Sequence, residues 1–221
     1  MTYEIRTQII TDLPQKPYRN GVGNYEGVVA HATAVMNDSD ENQLKYFIKN
    51  WKERKAFAHF FNDHDSITQM ADLKYIAWAA GTTANQRFVH MELCQSTDRE
   101  KFEEAYKRWT WLMAKVLYSK KLGVKDGVTL VSHKFCSDTW KDTTHQDPME
   151  YLKYHGKKWD DVVYDVTLWY KKMEGLQVDK NDARKIIGYL QQAYANSKTV
   201  QEKDEVHRLA EVLRKAVGIN E

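Results

Sequence analysis

The sequence predicts an α/β fold, a central mixed β-sheet flanked by helices, followed by a C-terminal αα-hairpin. Two observations carry that expectation. Short apolar runs at 27–31, 56–61, 87–94 and 127–133 alternate with stretches of helical spacing, the signature of layered strands and helices. Beyond Gly175 the pattern is helical only. The expected boundaries are therefore a main domain over 1–174 and a small helical unit over 175–221.

Gly27-Val28-Val29-Ala30-His31 follows a Gly/Asn/Tyr-rich stretch and reads as a buried strand. Asn37 to Glu41 makes a turn and a helix start, after which Leu44, Phe47, Ile48 and Trp51 fall at helical spacing. Ala56 to Phe61 is a strand, and Ser66 to Gln69 returns as its hairpin partner. Arg87 to Cys94 is the third major strand. Asp98 caps a long helix with a stripe of Phe102, Ala105, Trp109, Leu112, Met113, Val116 and Leu117. Gly127 to His133 is the next strand, and a polar loop runs from Ser137 to Pro148. Helical spacing resumes at Tyr151 and runs through Trp169. In the tail, Asp179 or Asn181 caps a helix carrying Ile186, Ile187, Leu190 and Tyr194. Thr199-Val200-Gln201-Glu202 is a capping box that opens another, with Val206, Leu209, Val212, Leu213 and Val217.

Composition narrows the function classes. The chain has 221 residues, 42% hydrophobic and 29% charged, with a net charge of +2. That balance suits a globular protein and lacks the basic excess of a nucleic-acid binder. Cys94 and Cys136 are its two cysteines, too few for a disulfide scaffold. No window approaches a bilayer span, so no membrane insertion is expected. Met1 to Pro14 shows no basic region followed by an apolar run, so no export signal is read there.

His31 and His133 are read at the C-terminal ends of two apolar strands, where side chains enter the crevice of an α/β fold. Two imidazoles make half of a zinc site, and catalytic zinc takes three protein ligands. The loop Thr144-His145-Gln146-Asp147-Pro148 offers two more candidates, His145 and Asp147. Pro148 disfavours the α region for its predecessor and so steadies Asp147. Glu92 alternates with apolar neighbours and shares a face with His90, and a carboxylate on a central strand is costly unless placed in a site. His59 interrupts an apolar strand, His64 lies in the following turn, and His155 and His207 read as surface helix residues. The remaining alternative is a metal-free α/β protein with scattered histidines.

Taken together, the segments Val28 to Ala34 (ending His31-Ala32-Thr33-Ala34), Ala58 to Asp63, Met91 to Cys94, Ser132-His133 and Thr144 to Pro148 resemble the zinc amidase family of type-2 N-acetylmuramoyl-L-alanine amidases and peptidoglycan recognition proteins. The resemblance covers about residues 20 to 170. It implies a peptidoglycan hydrolase that cleaves the amide between N-acetylmuramic acid and L-alanine. It implies one Zn2+ held by His31, His133 and Asp147, with Glu92 activating water and His145 stabilising the transition state. Where members often carry Trp-His-x-Gly, this chain reads Trp78-Ala79-Ala80-Gly81. Arg87 and the aromatic residues are candidates for contact with sugar or stem peptide. Val178 to Ile187, with Leu209 to Lys215, resembles the short helical module of amidase endolysins from phages of Bacillus and its relatives. This implies wall targeting, or docking and homodimerisation through the hairpin. It also implies a protein held in the host cytoplasm until lysis and then acting on the wall of a Gram-positive host. The alternative on the same fold is a non-catalytic peptidoglycan-binding protein.

Overall fold

The computed structural model describes residues 2–175 and 180–219. Its elements, in chain order, are β1 (Arg6–Thr7), β2 (Gly27–Met36), α1 (Asp40–Arg54), β3 (Phe60–Asn62), β4 (Ile67–Gln69), α2 (Gly81–Asn85), β5 (Phe88–Gln95), α3 (Arg99–Ser119), β6 (Leu130–Ser132), α4 (His133–Trp140), α5 (Met149–Tyr154), α6 (Trp159–Glu174), α7 (Lys180–Asn196) and α8 (Val200–Val217). The chain divides into two compact units, Met1–Met173 and Glu174–Glu221.

In the first unit the strands form one mixed sheet in the order β1-β4-β3-β5-β2-β6. β2 runs parallel to both β5 and β6, β3 is parallel to β5, and β3 and β4 form the expected antiparallel hairpin. Alternation along the strands sorts their side chains to two faces. Val28, Ala30 and Ala32 of β2, with Val89, Met91 and Leu93 of β5, share one core cluster with Phe102, Trp109 and Leu112 of α3. The intervening residues His31, His90, Glu92 and Cys94 therefore face away from α3. Asp98 caps α3 by accepting from the backbone N–H groups of Glu100 and Lys101. Every residue of the expected α3 stripe is buried, and the Trp109 Nε1–H donates to the Met91 carbonyl at 3.1 Å. That bond satisfies the one polar atom of a fully buried ring.

Across the sheet, α1 begins at its Ser39 cap, whose side chain accepts from Asn42 N–H at 3.2 Å. Leu44 and Trp51 are buried, but Ile48 is exposed, so the expected stripe is one residue too wide. Gly27 has no side chain because a Cβ there would lie 2.2 Å from the Thr129 carbonyl oxygen, where β2 meets the turn before β6.

Several element boundaries differ from the expectation. β2 continues five residues past His31, so His31 sits inside the strand and not at its end. Thr33 interrupts the apolar run without interrupting the strand, since a β-branched side chain suits a pleat. β6 is only three residues long, and His133 is the first residue of α4. Ser132 is the cause: its Oγ accepts from Phe135 N–H at 3.0 Å and caps the helix. Ser137 to Trp140 thus belong to a helix and not to a loop. The strand expected over 56–61 is confined to Phe60–Asn62, with Phe57 making a separate bridge to Trp78. The long helix expected after Tyr151 is two helices, parted at Gly156, whose φ of +75° ends α5. His155 is not a surface residue: it is buried and stacks on Phe102 at 3.9 Å.

In the second unit, Thr199 and Glu202 form the expected capping box. Ala183, Ile187 and Ile219 make a small cluster with Leu213 and Val217, while Ile186, Leu209 and Val212 are exposed. The alternative cap at Asp179 lies outside the described residues. Among the described residues no helix is long and apolar enough to cross a membrane.

Candidate metal centre and its cavity

The sheet face turned away from α3 carries the site. Parallel pairing sets His31 directly opposite Glu92. The α4 cap places His133 beside them: the His31 and His133 Nδ1 atoms are 3.0 Å apart. The loop after α4 folds back, anchored by the Lys134 N–H to the Asp147 carbonyl (3.0 Å) and by Ser137 Oγ–H to the His145 carbonyl (2.6 Å). This brings Asp147 Oδ2 to 3.2 Å from His31 Nδ1 and Oδ1 to 3.0 Å from His133 Nδ1. The Ala32 N–H donates to Asp147 Oδ2 at 3.3 Å. The peptide between Asp147 and Pro148 is cis.

Three potential ligand atoms, one each from His31, His133 and Asp147, thus lie within 4.8 Å of one another. Nitrogen and oxygen ligands about 2.0–2.2 Å from a tetrahedral zinc ion stand roughly 3.3 Å apart. The observed separations of 3.0 to 3.2 Å are close to that spacing. Two imidazole nitrogens and a carboxylate oxygen converging on one point are a set that a single cation can bridge. The donor set therefore fits a divalent metal, and two neutral imidazoles with one carboxylate is a ligand combination of catalytic zinc.

The electrostatics agree with this arrangement. Burial pushes His31 down to about 4, a pull that its hydrogen bond to Asp147 only partly offsets, so the ring is neutral at physiological pH. Burial acts on Asp147 in the opposite sense, but the hydrogen bonds from His133 and His31 outweigh it and hold the carboxyl well below the usual range. Burial, with the Asp147 charge nearby, raises Glu92 well above the ordinary carboxylate range. Glu92 Oε1 is 3.9 Å from His31 Nδ1, and its buried Oε2 has no hydrogen-bond partner among the described residues. Glu92 stands beside the three converging donors and is not one of them. His145 stacks on the His133 ring, 4.9 Å between centroids and 6° between planes, with its side chain 71% exposed.

These residues line a cavity of about 770 Å³. Its walls include Asn42, Tyr46, Phe47 and Arg54 of α1, together with Phe57, Trp78 and Ala79. Phe57, Trp78 and Ala79 make this part of the wall apolar. Arg87 is not part of the lining. Its Nε is paired with Glu26 at 2.6 Å, and its guanidinium covers Phe88 and Trp140.

Sequence reasoning missed the supporting residues. His133 Nε2 is 3.0 Å from Thr143 Oγ1, and His31 Nε2 is 3.0 Å from His90 Nδ1. Behind His90 stands His59, stacked on it at 5.9 Å and 6°. The alternation that marked Glu92 also marks His90 two residues earlier, and that was the available signal. A second trio, Asp63, His64 and Asp65, also clusters. There Asp63 Oδ1 is committed to the backbone N–H groups of Asp65 and Ser66, which makes it a turn.

Comparison with known proteins agrees with the geometry. A family model described as N-acetylmuramoyl-L-alanine amidase matches residues 21–150. The chain is 31% identical over 178 residues to Protein Ami of Listeria monocytogenes, covering 78% of this chain and 19% of that protein. It is 31% identical over 167 residues to an endolysin of Listeria phage A511, covering 70% of this chain and 46% of that protein. The chain thus spans less than half the length of these relatives. A crystal structure of Staphylococcus aureus hydrolase AmiA with its ligand superposes with a TM-score of 0.75 and 27% identity, over 79% of this chain and 87% of that one. The catalytic domain of XlyA shares the fold, with a TM-score of 0.58 and 20% identity over 74% of this chain and 99% of that one.

Proposed function

The chain belongs to the N-acetylmuramoyl-L-alanine amidase family, and from that premise we propose that it hydrolyses the amide joining the lactyl group of N-acetylmuramic acid to L-alanine in peptidoglycan. The observation that carries the reading is the convergence of His31, His133 and Asp147 beside the partly buried carboxylate of Glu92, at the wall of a large cavity. Those three residues would hold one zinc ion.

A zinc ion held there would supply Lewis-acid polarisation of the scissile carbonyl and a lowered pKa for the attacking water. Glu92 takes the water proton on Oε1, the oxygen nearer the ligands, and returns it to the departing amine of L-alanine. His145, exposed at the cavity wall and stacked on the His133 ring, donates a ring N–H to the developing oxyanion. Phe47, Phe57 and Trp78 give the substrate an apolar wall that orients it and excludes water.

The wall of a Gram-positive host is the proposed target, reached from the host cytoplasm at lysis as an endolysin does. The helical unit, with Tyr189, Val200 and Val212 exposed, is the segment that would meet the wall or a second copy of the chain. No observation favours a non-catalytic binding role, since no member of the ligand set is missing. Metal analysis tests the reading. Protein purified without chelators should carry an equimolar amount of zinc, and chelation should end wall lysis until zinc is restored. Full lysis by metal-free protein would overturn it.

A further inference from the structure

We propose that His90 is a positioning residue for the metal centre: its Nδ1 accepts a hydrogen bond from His31 Nε2–H and so fixes the tautomer and ring plane in which His31 Nδ1 serves as ligand. The inference rests on the reading of His31 as a ligand given above. An imidazole whose Nδ1 coordinates a metal must carry its proton on Nε2. His31 is 1% exposed, so no bulk water receives that proton. The acceptor at hand is His90 Nδ1, 3.0 Å away, with the two rings tilted by 45°.

His90 is itself immobile. It is fully buried, its backbone N–H donates to His59 Nδ1 at 3.0 Å, and its ring lies parallel to the His59 ring. His59 is pinned in turn, with Nε2 at 2.9 Å from the Tyr75 carbonyl and 3.0 Å from Tyr18 Oη. Strand β5 and His59, the residue leading into β3, thus hold the acceptor, and the acceptor holds the ligand. Among the described residues nothing else uses the polarity of the His90 ring. Its Nε2 is buried without a partner among the described residues. An apolar side chain there would leave the buried His31 Nε2–H without its acceptor, so the contact with His31 is the reason for an imidazole at this place. Metal-binding histidines generally use a carboxylate or carbonyl as acceptor. Here a neutral imidazole does the same work without adding negative charge.

Two measurements on the full chain test this. Long-range 1H–15N spectra of the zinc-loaded wild type should show both His31 and His90 as Nε2–H tautomers; an Nδ1–H tautomer on His90 overturns the proposal. Zinc affinity, read by competition with a chromophoric chelator, should separate two variants. His90→Asn sets an amide oxygen where Nδ1 stands, whereas His90→Leu removes the acceptor. The Leu variant should bind zinc about 10–100-fold more weakly, with Asn within about threefold of wild type. Unchanged affinity in His90→Leu, or equal losses in both variants, overturns the proposal. If His90→Leu does not fold, the wild-type tautomers decide. A wild type that takes up no zinc overturns the proposed function itself, an outcome distinct from zinc bound with the wrong tautomer.

Discussion

Replacing Glu92 with glutamine keeps the side-chain shape and removes its ability to hold a proton. The residue lies on an interior strand, directly across from His31, with Oε1 3.9 Å from His31 Nδ1 and Oε2 buried without a partner among the described residues. A positioned acid–base group contributes about 10²–10⁴ in rate, equivalent to about 3–5 kcal/mol of barrier. Glu92→Gln should therefore lower kcat on a soluble muramoyl peptide by that factor, with KM little changed. Zinc content should be unaffected, because Glu92 is not among the three converging donors. Stability of the metal-free protein should hold or rise, since a buried carboxylate close to Asp147 is unfavourable and an amide is not. Steady-state kinetics, metal analysis and urea denaturation on one preparation read all three quantities. Activity within about threefold of wild type would remove Glu92 from the mechanism. Loss of zinc would make it a ligand.

Other substitutions separate the remaining roles. Asp147→Ala should lose zinc, while His145→Ala should keep it and lose about 10²-fold in kcat; the reverse pattern would exchange the two assignments. Ser132→Ala should cost about 1 kcal/mol in urea denaturation by uncapping α4, and an unchanged midpoint would mean that the cap does not set the position of His133. Burial holds His59 down to about 4 against an ordinary 6.5. The unfolded chain therefore binds a proton there at higher pH than the folded chain does. The stability in question is fully present above pH 6.5 and is lost as pH falls towards 4, about 3 kcal/mol for this one group. Denaturation of metal-free protein between pH 7 and 4.5 should show the loss, reduced in His59→Gln; a flat profile in the wild type would refute it.

The long elements were legible because their signals are local. Asp98 followed by an unbroken 3.6-residue stripe specifies α3, whereas the Ser132 cap of α4 is masked by the apolar run that precedes it. β1 was not legible, since two residues carry no periodicity and their pairing with β4 is a tertiary event. Gly156 hid the break between α5 and α6 because the apolar spacing runs on through it. His31 and His133 were recognisable as histidines bordering apolar runs, although neither ends a strand. Their meeting with Asp147, 116 residues from His31, depends on how the loop after α4 folds back. Pattern alone left His145 and Asp147 as equal candidates, and only resemblance to a family separated them. His90 was visible as a neighbour of Glu92 on one face, but its contact with His31 crosses from one strand to the next and depends on ring orientation. His155 misled because a histidine in a polar helical stretch looks solvated until the ring it stacks on, Phe102, is brought to it.

The bond that is cut is the centre of the account. Mass spectrometry of purified Gram-positive peptidoglycan digested with the zinc-loaded chain reads it directly. Stem peptides should be released with a free L-alanine amino terminus, and glycan strands should keep the lactyl carboxylate on N-acetylmuramic acid. New reducing ends on the glycan, or cleavage within the stem peptide with the L-alanine link intact, would contradict it.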